Sequence, residues 1–433
     1  MKKFTIIVMI MMTLLLVSCG KSETAASKTT VLFWHSMGGP LGSALNSLIE
    51  EFNATHIDIR VEAVSVGNYT ALTQKLTASI QAGNQPDIAQ LYENSTVDYI
   101  NSGVLTPVEK FIERDEQLQE DIHSDFFPIF ISGNTYDGQI WTFPFNKSVR
   151  VLYYNKEMFL KFGFDPNQAP ETWEDYIEYS KVISAERDEK GNPYIYTTNI
   201  NSSATQLVNL ILQAGGTVYE DGEVRFASQE GVESLKFLRS LVVDTKVAYL
   251  AEGYEGQNDF LASKVAMYEG SSVSMAFMAS ENKLKFNIGI APIPHFRTTK
   301  NVISGTNIAI FKSNDRQEEA AWKFIKWLTD TEQTAKWSYD TYYMPLRMSA
   351  LQASPLKERL ENDENLLAVY QQLNNAGTEP TISEWRKART DIEKFVLEPV
   401  YSENKTLTDE ELMKLLEKQA KELEKRIKEN KKD

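Results

Sequence analysis

Cysteine is almost absent from this chain: Cys19 is the only one in 433 residues. An intramolecular disulfide and a multi-cysteine metal site are thereby excluded. Histidine is nearly as scarce, with His35, His56, His123 and His295 far apart and without metal-ligand spacing. No HExxH, GxSxG, GxGxxG or kinase-like set occurs, and Gly20-Lys21-Ser22 lacks the glycine that a phosphate loop needs at Leu15. No catalytic residue, metal or cofactor is therefore expected. Basic residues are also in deficit, 45 against 60 acidic, for a net charge of −15. Nucleic acid is not an expected partner of such a field, and an anionic ligand must be captured by local donors. Finally, the one long apolar run, Phe4 to Val17, is too short to span ~30 Å of hydrocarbon at ~1.5 Å per residue.

That run follows Met1-Lys2-Lys3 and ends in Leu16-Val17-Ser18-Cys19. The pattern resembles a bacterial lipoprotein export signal with its lipobox. It predicts a signal peptide over 1–18 and a Cys19 carrying palmitate-type acyl chains. The small, polar residues 20 to 29 have no apolar period and suit a flexible tether. A lipid anchor on the cell membrane, facing the periplasm or the extracellular side, is the expected location.

Roughly 400 residues of ordinary hydrophobic content follow, enough for two packed domains. From Thr30, short β-like runs alternate with amphipathic helices. Val31-Leu32-Phe33-Trp34 reads as a buried strand, and Leu41, Leu45, Leu48 and Phe52 share one helical face. Ile59, Val61 and Ala63 alternate as a second strand. Leu72, Leu76 and Ile80 mark a helix stopped by Gly83-Asn84-Gln85-Pro86, and Asp87 to Leu91 reads as a third strand. This order predicts a doubly wound α/β lobe. The rhythm resumes after Thr142-Phe143-Pro144-Phe145, with a strand at 149–154, helices at 173–185, 204–212 and 231–243, and strands at 265–268, 288–291 and 308–311. Thr408 to Glu411 spells a capping box, opening a tail helix whose Leu412, Leu415, Leu416, Leu423 and Ile427 form a stripe predicted to dock on a lobe.

In open α/β sheets, ligands bind in the crevice beyond the strand carboxyl ends. Polar groups gather at such places here: Trp34 to Gly39, Gly67-Asn68-Tyr69, Leu91-Tyr92-Glu93-Asn94, Asn146-Lys147-Ser148 and Glu269-Gly270-Ser271-Ser272.

Phe33-Trp34-His35-Ser36-Met37-Gly38, Gly67-Asn68-Tyr69, the block from Gly83 to Glu93 and the block from Pro144 to Lys156 resemble the extracellular solute-binding proteins of ABC importers. The similarity is strongest to the branch that binds sn-glycerol 3-phosphate, and it runs from Thr30 to Leu346. It implies a type II periplasmic-binding-protein-like fold: two doubly wound α/β lobes joined by a hinge, with a ligand cleft between them. The first lobe would take 30–143 plus 295–344 and the second 144–294 plus 345–433. The ligand contacts it implies are Tyr69, Glu93, Ser148, a serine of Ser271-Ser272, Gly305 and Tyr343. Glu93 can accept bonds from vicinal hydroxyls, while the other hydroxyls and the Gly305 N–H can donate to phosphate oxygens. A phosphate should also meet a guanidinium fork. Arg386 is favoured over Arg389 because it lies upstream of a helix resembling 392–396.

Plainer readings stand beside these. Glu93 could serve a helix dipole, Ser271 or Ser272 could cap a helix, Gly305 could supply a positive φ, and either arginine could lie on a solvated helix face. Members of the branch carry tryptophans after a Tyr-Ala-Ser-Gly-like stretch, where this chain has Tyr194-Ile195-Tyr196-Thr197-Thr198-Asn199-Ile200-Asn201. The expected ligand is therefore a phosphorylated polyol, sn-glycerol 3-phosphate or a glycerophosphodiester, with a sugar or oligosaccharide as the alternative. The expected protein is a monomer that hands its ligand to ABC permease subunits.

Overall fold

The computed structural model describes residues 28–280 and 284–430. The predicted signal peptide, Cys19 and most of the tether lie outside them. Among the described residues, no helix is long and apolar enough to cross a membrane.

The first sheet is built on Thr29–His35, which pairs in parallel with Ile59–Ser65 on one side and Ile88–Leu91 on the other. The helix Gly39–Thr55 covers it with Leu41, Leu45, Leu48 and Phe52, all buried as their spacing predicts. Asn68 opens the helix Tyr69–Gln81 by accepting from the Ala71 N–H at 2.9 Å. Beyond Ile88–Leu91 the direction reverses: Ser304–Phe311 returns antiparallel and is flanked by Leu105–Thr106 and Thr142–Ser148. Phe52 meets Phe324 edge-on at 5.0 Å in the core below. Fully burying one such ring contributes about 1.5–3 kcal/mol.

The second sheet centres on Arg150–Asn155, which has antiparallel partners in Met267–Ser271 and Ile288–Pro292. Thr198–Ile200 and Ala248–Leu250 extend it, joined by the Met267 N–H donating to the Thr197 carbonyl at 2.8 Å. A Thr172/Asp175 capping box opens the helix Trp173–Ile183. The helix Gln229–Arg239 ends earlier than its apolar spacing predicts, in a wider turn over Ser240–Asp244. The cause is local: Thr245 bonds the Ser240 carbonyl through its amide at 2.9 Å and its hydroxyl at 2.7 Å. The tail helix Asp409–Asn430 buries Leu412, Leu416, Leu423 and Ile427 against Gln229–Arg239 and Trp385–Ile392, while Leu415 is only half-buried.

The strand Thr142–Ser148 runs in the first sheet past the Thr142–Phe145 junction that the sequence suggests, and the chain enters the second sheet at Arg150. It returns between Asn301–Val302 and Ser304. These two crossings lie side by side, because Ser148 and Ser304 are register partners. The segment after the helix Thr331–Thr341 stays with the first lobe, where Arg347 pairs with Asp121 at 2.8 Å and Asp125 at 3.1 Å. The helix Glu364–Gln371 then packs on Ile288–Pro292.

Candidate functional site

The floor beside the crossings is organised by Asn146. Its amide nitrogen donates to the Tyr69 hydroxyl at 2.9 Å and the Tyr343 hydroxyl at 3.0 Å. Its oxygen accepts from Gln90 Nε2 at 2.9 Å and Thr306 Oγ1 at 2.5 Å. Both amide donors and both lone pairs are thus used. Gln90 Oε1 in turn accepts from the Ser36 amide at 2.8 Å. One network therefore ties the loop after the first strand to Tyr69, Tyr343 and the return strand. Tyr343 is buried, and burial holds its hydroxyl well above the usual phenol range. The sequence reading placed Asn146 in a motif without giving it a role; its signal was the Asn-x-Ser spacing to Ser148.

Glu93 opens the helix Glu93–Asn101, where a carboxylate suits the helix dipole. Its Oε1 is also 2.7 Å from Lys147 Nζ, in a pair whose lysine side chain is 1% exposed. Its Oε2 has no protein partner among the described residues. The Tyr69 ring lies 4.7 Å from Tyr92.

Gly305 has φ +119°, and a Cβ there would sit 1.9 Å from the Asn146 carbonyl oxygen. Backbone geometry alone accounts for a glycine at this position. Ser148 is buried beside it. Across the crossing, Ser271 is half-buried and opposite Arg150 in register, whereas Ser272 is fully buried and its Oγ has no partner among the described residues. Both serine carbonyls accept from the Tyr153 hydroxyl at 2.8 Å. Neither serine caps the following helix, whose N-cap is Val273. Of the two, Ser271 is thus the one with an accessible side chain.

The two candidate arginines point to different surroundings. Arg386 is exposed and lines a cavity of ≈ 950 Å³ with Tyr69, Thr73, Tyr92, Asp98 and Tyr99. Desolvation raises the Asp98 carboxyl above the usual range and the Arg386 charge opposes that rise. Arg389, one helical turn on, is held by Thr205 Oγ1 at 3.0 Å and Glu379 Oε2 at 3.3 Å. Glu379 also accepts from the indole of buried Trp385 at 2.8 Å. The charges of Arg389 and Glu379 both reach the Tyr92 hydroxyl. Thr205, Glu379, Arg150 and Gln206 were given no role from sequence, and Glu269 stood only in a polar cluster at a strand end. No local motif marks them, because their partners come from distant segments.

A profile of the family described as bacterial extracellular solute-binding protein matches residues 47–367. The sn-glycerol-3-phosphate-binding periplasmic protein UgpB of Escherichia coli (strain K12) is 31% identical over 339 residues, covering 75% of this chain and 76% of its own. The cyclic alpha-maltosyl-1,6-maltose binding protein of Arthrobacter globiformis matches with a TM-score of 0.78 at 22% identity, over 92% of this chain and 100% of that one. UgpB from Mycobacterium tuberculosis, solved in complex with glycerophosphocholine, matches at 0.77 and 19% identity, over 94% of this chain and 100% of that one. At such identities these two structures speak for the fold, which is the two-lobed type II architecture of periplasmic binding proteins.

Proposed function

The chain belongs to the bacterial extracellular solute-binding proteins, and from that premise we propose that it captures sn-glycerol 3-phosphate or a glycerophosphodiester for an ABC importer. The observation that carries this reading is the composition of the cleft. Hydroxyls of Tyr69, Ser148 and Ser271 and the guanidinium group of Arg386 are donors suited to phosphate oxygens, and Glu93 Oε2, without a protein partner among the described residues, is an acceptor for glycerol hydroxyls. UgpB relatives named for sn-glycerol 3-phosphate support the same ligand class. Closure of the lobes about the paired crossings would bring both sets of groups onto one ligand and expose a surface that the permease subunits read. A dissociation constant of ~1 μM needs only about −8 kcal/mol, within reach of a few charge-assisted bonds.

Cys19 would hold the protein at the membrane by its lipid. Cys19→Ser should move the protein from the membrane fraction to the soluble fraction and abolish labelling with a palmitate analogue. Retention at the membrane would overturn the anchor.

A sugar is the second reading. It is favoured by the Tyr69–Tyr92 ring pair, which offers a stacking surface, and by the maltose-type binding protein among the structural matches. Calorimetric titration with sn-glycerol 3-phosphate, glycerophosphocholine and maltose separates the two. Tight one-to-one binding of a phosphate compound, lost in Glu93→Ala, supports the first. Binding of maltose alone supports the second.

A further inference from the structure

We infer that Arg150 is a specificity-determining residue that grips the anionic group of the ligand from the second lobe, with Glu269 aiming its guanidinium. The inference rests on the phosphate-ester reading above and names a contact that the resemblance does not assign. Arg150 stands two residues beyond Ser148, at the point where the chain enters the second sheet, and its register partner is Ser271. The two serines placed at the cleft therefore flank it.

Its hydrogen bonding is incomplete in a telling way. Nε donates to Glu269 Oε1 at 2.5 Å, and the side chains are only 17% and 12% exposed. The four N–H groups on Nη1 and Nη2 have no protein acceptor among the described residues. A largely buried guanidinium with most of its donors unspent is costly unless something enters to accept them. The terminal nitrogens form a planar fork that matches two phosphate oxygens, and holding Nε fixed leaves that fork free. The other cleft arginines are placed differently. Arg389 has both terminal nitrogens committed to Thr205 and Glu379, and Arg386 is exposed near Asp98.

A second, independent observation lies beside the pair. Glu269 Oε2 accepts from Gln206 Nε2 at 3.1 Å, so both carboxylate oxygens are held. Gln206 is 5% exposed, and its Oε1 is buried without a partner among the described residues. Glu269 thus ties an unpartnered acceptor and a fork of unspent donors to one carboxylate, an arrangement that suits a ligand carrying an anion and a hydroxyl a few bonds apart. A phosphate ester of a small polyol has that chemistry.

The test is calorimetry of the full chain with sn-glycerol 3-phosphate and with glycerophosphocholine. Arg150→Lys, which keeps the charge but loses the fork, should weaken binding about tenfold. Replacing the pair together, Arg150→Gln with Glu269→Gln, leaves no unpaired charge and should weaken binding about a hundredfold while the ligand-free melting temperature stays near that of the parent. Binding by the double variant within about threefold of the parent would overturn the role of Arg150 and leave the phosphate reading standing. Failure of the parent itself to bind either phosphate compound would remove both.

Discussion

Lys147 keeps its ammonium 2.7 Å from the Glu93 carboxylate with 1% of the lysine side chain exposed, against 19% for the glutamate. Among the described residues Glu93 is the only acidic partner of a nearly sealed cation, so the asymmetry sets which deletion hurts more. Glu93→Gln strands a buried charge and should cost about 3–5 kcal/mol in urea denaturation. Lys147→Met leaves a carboxylate that water can reach and should cost less. The double variant should recover most of the loss, because the pair is removed as a unit. Equal costs for the two single variants would contradict this account.

Gly305 is constrained from two directions, a φ of +119° and an Asn146 carbonyl oxygen 1.9 Å from where a Cβ would stand. Gly305→Ala should therefore destabilise the protein by about 2–4 kcal/mol, since neither strand can yield without breaking the ladder at the crossing. The Asn146 network would shift with it, so ligand affinity should fall even under conditions where the variant remains folded. A fully stable Gly305→Ala protein would show that the crossing is softer than its geometry indicates.

The parallel strands and helices of the first lobe were legible because each obeys one simple period: Leu41, Leu45, Leu48 and Phe52 need no information from elsewhere to reveal a helix face. Thr142–Ser148 was not. All seven of its residues are buried, so it has no alternation, and it carries Pro144, Asn146 and Lys147, which read as a junction. Those polar residues are tolerated because Tyr69, Tyr343 and Glu93, remote in sequence, satisfy them. The same limit applied to the second-lobe face of the cleft. Arg386 and Arg389 lie one helical turn apart, and only packing sends the second toward Thr205 and Glu379.

The tail helix holds the element that carries both arginines. Leu416 is fully buried and its methyl would meet a Cβ at Gly231 at 2.8 Å, while Arg426 reaches Asp391 at 2.6 Å. Leu416→Ala should cost about 2–5 kcal/mol. Arg426→Ala should cost less, but it leaves Asp391, on the helix that carries Arg389, with Lys387 alone as its ion partner and unties that helix from the tail. Ligand affinity is expected to drop more than stability for Arg426→Ala and in step with stability for Leu416→Ala. The reverse pattern would mean that the tail has no part in placing the arginines.

The pH dependence of stability should carry the signature of His35. The ring is 3% exposed and its Nδ1 accepts from the Met37 amide at 3.1 Å, which requires an unprotonated nitrogen there. Burial lowers its pKa from 6.5 to about 4. In the unfolded chain the imidazole takes a proton near pH 6.5, whereas the folded protein resists it until near pH 4. Between those values the unfolded state binds more protons, so the contribution of His35 is complete above pH 6.5 and is lost as pH falls toward 4. Its full size is on the order of 3 kcal/mol. Carboxylates titrate in the lower part of the same window, so the measurement is a difference: urea denaturation at pH 7 and pH 4.5 for the parent and for His35→Asn, whose side-chain oxygen can still accept from Met37. The parent should lose more stability than the variant between the two pH values. Parallel losses would show that the ring admits its proton without disturbing the fold, and that the loop from His35 to Gly38 rests on contacts other than this one acceptor.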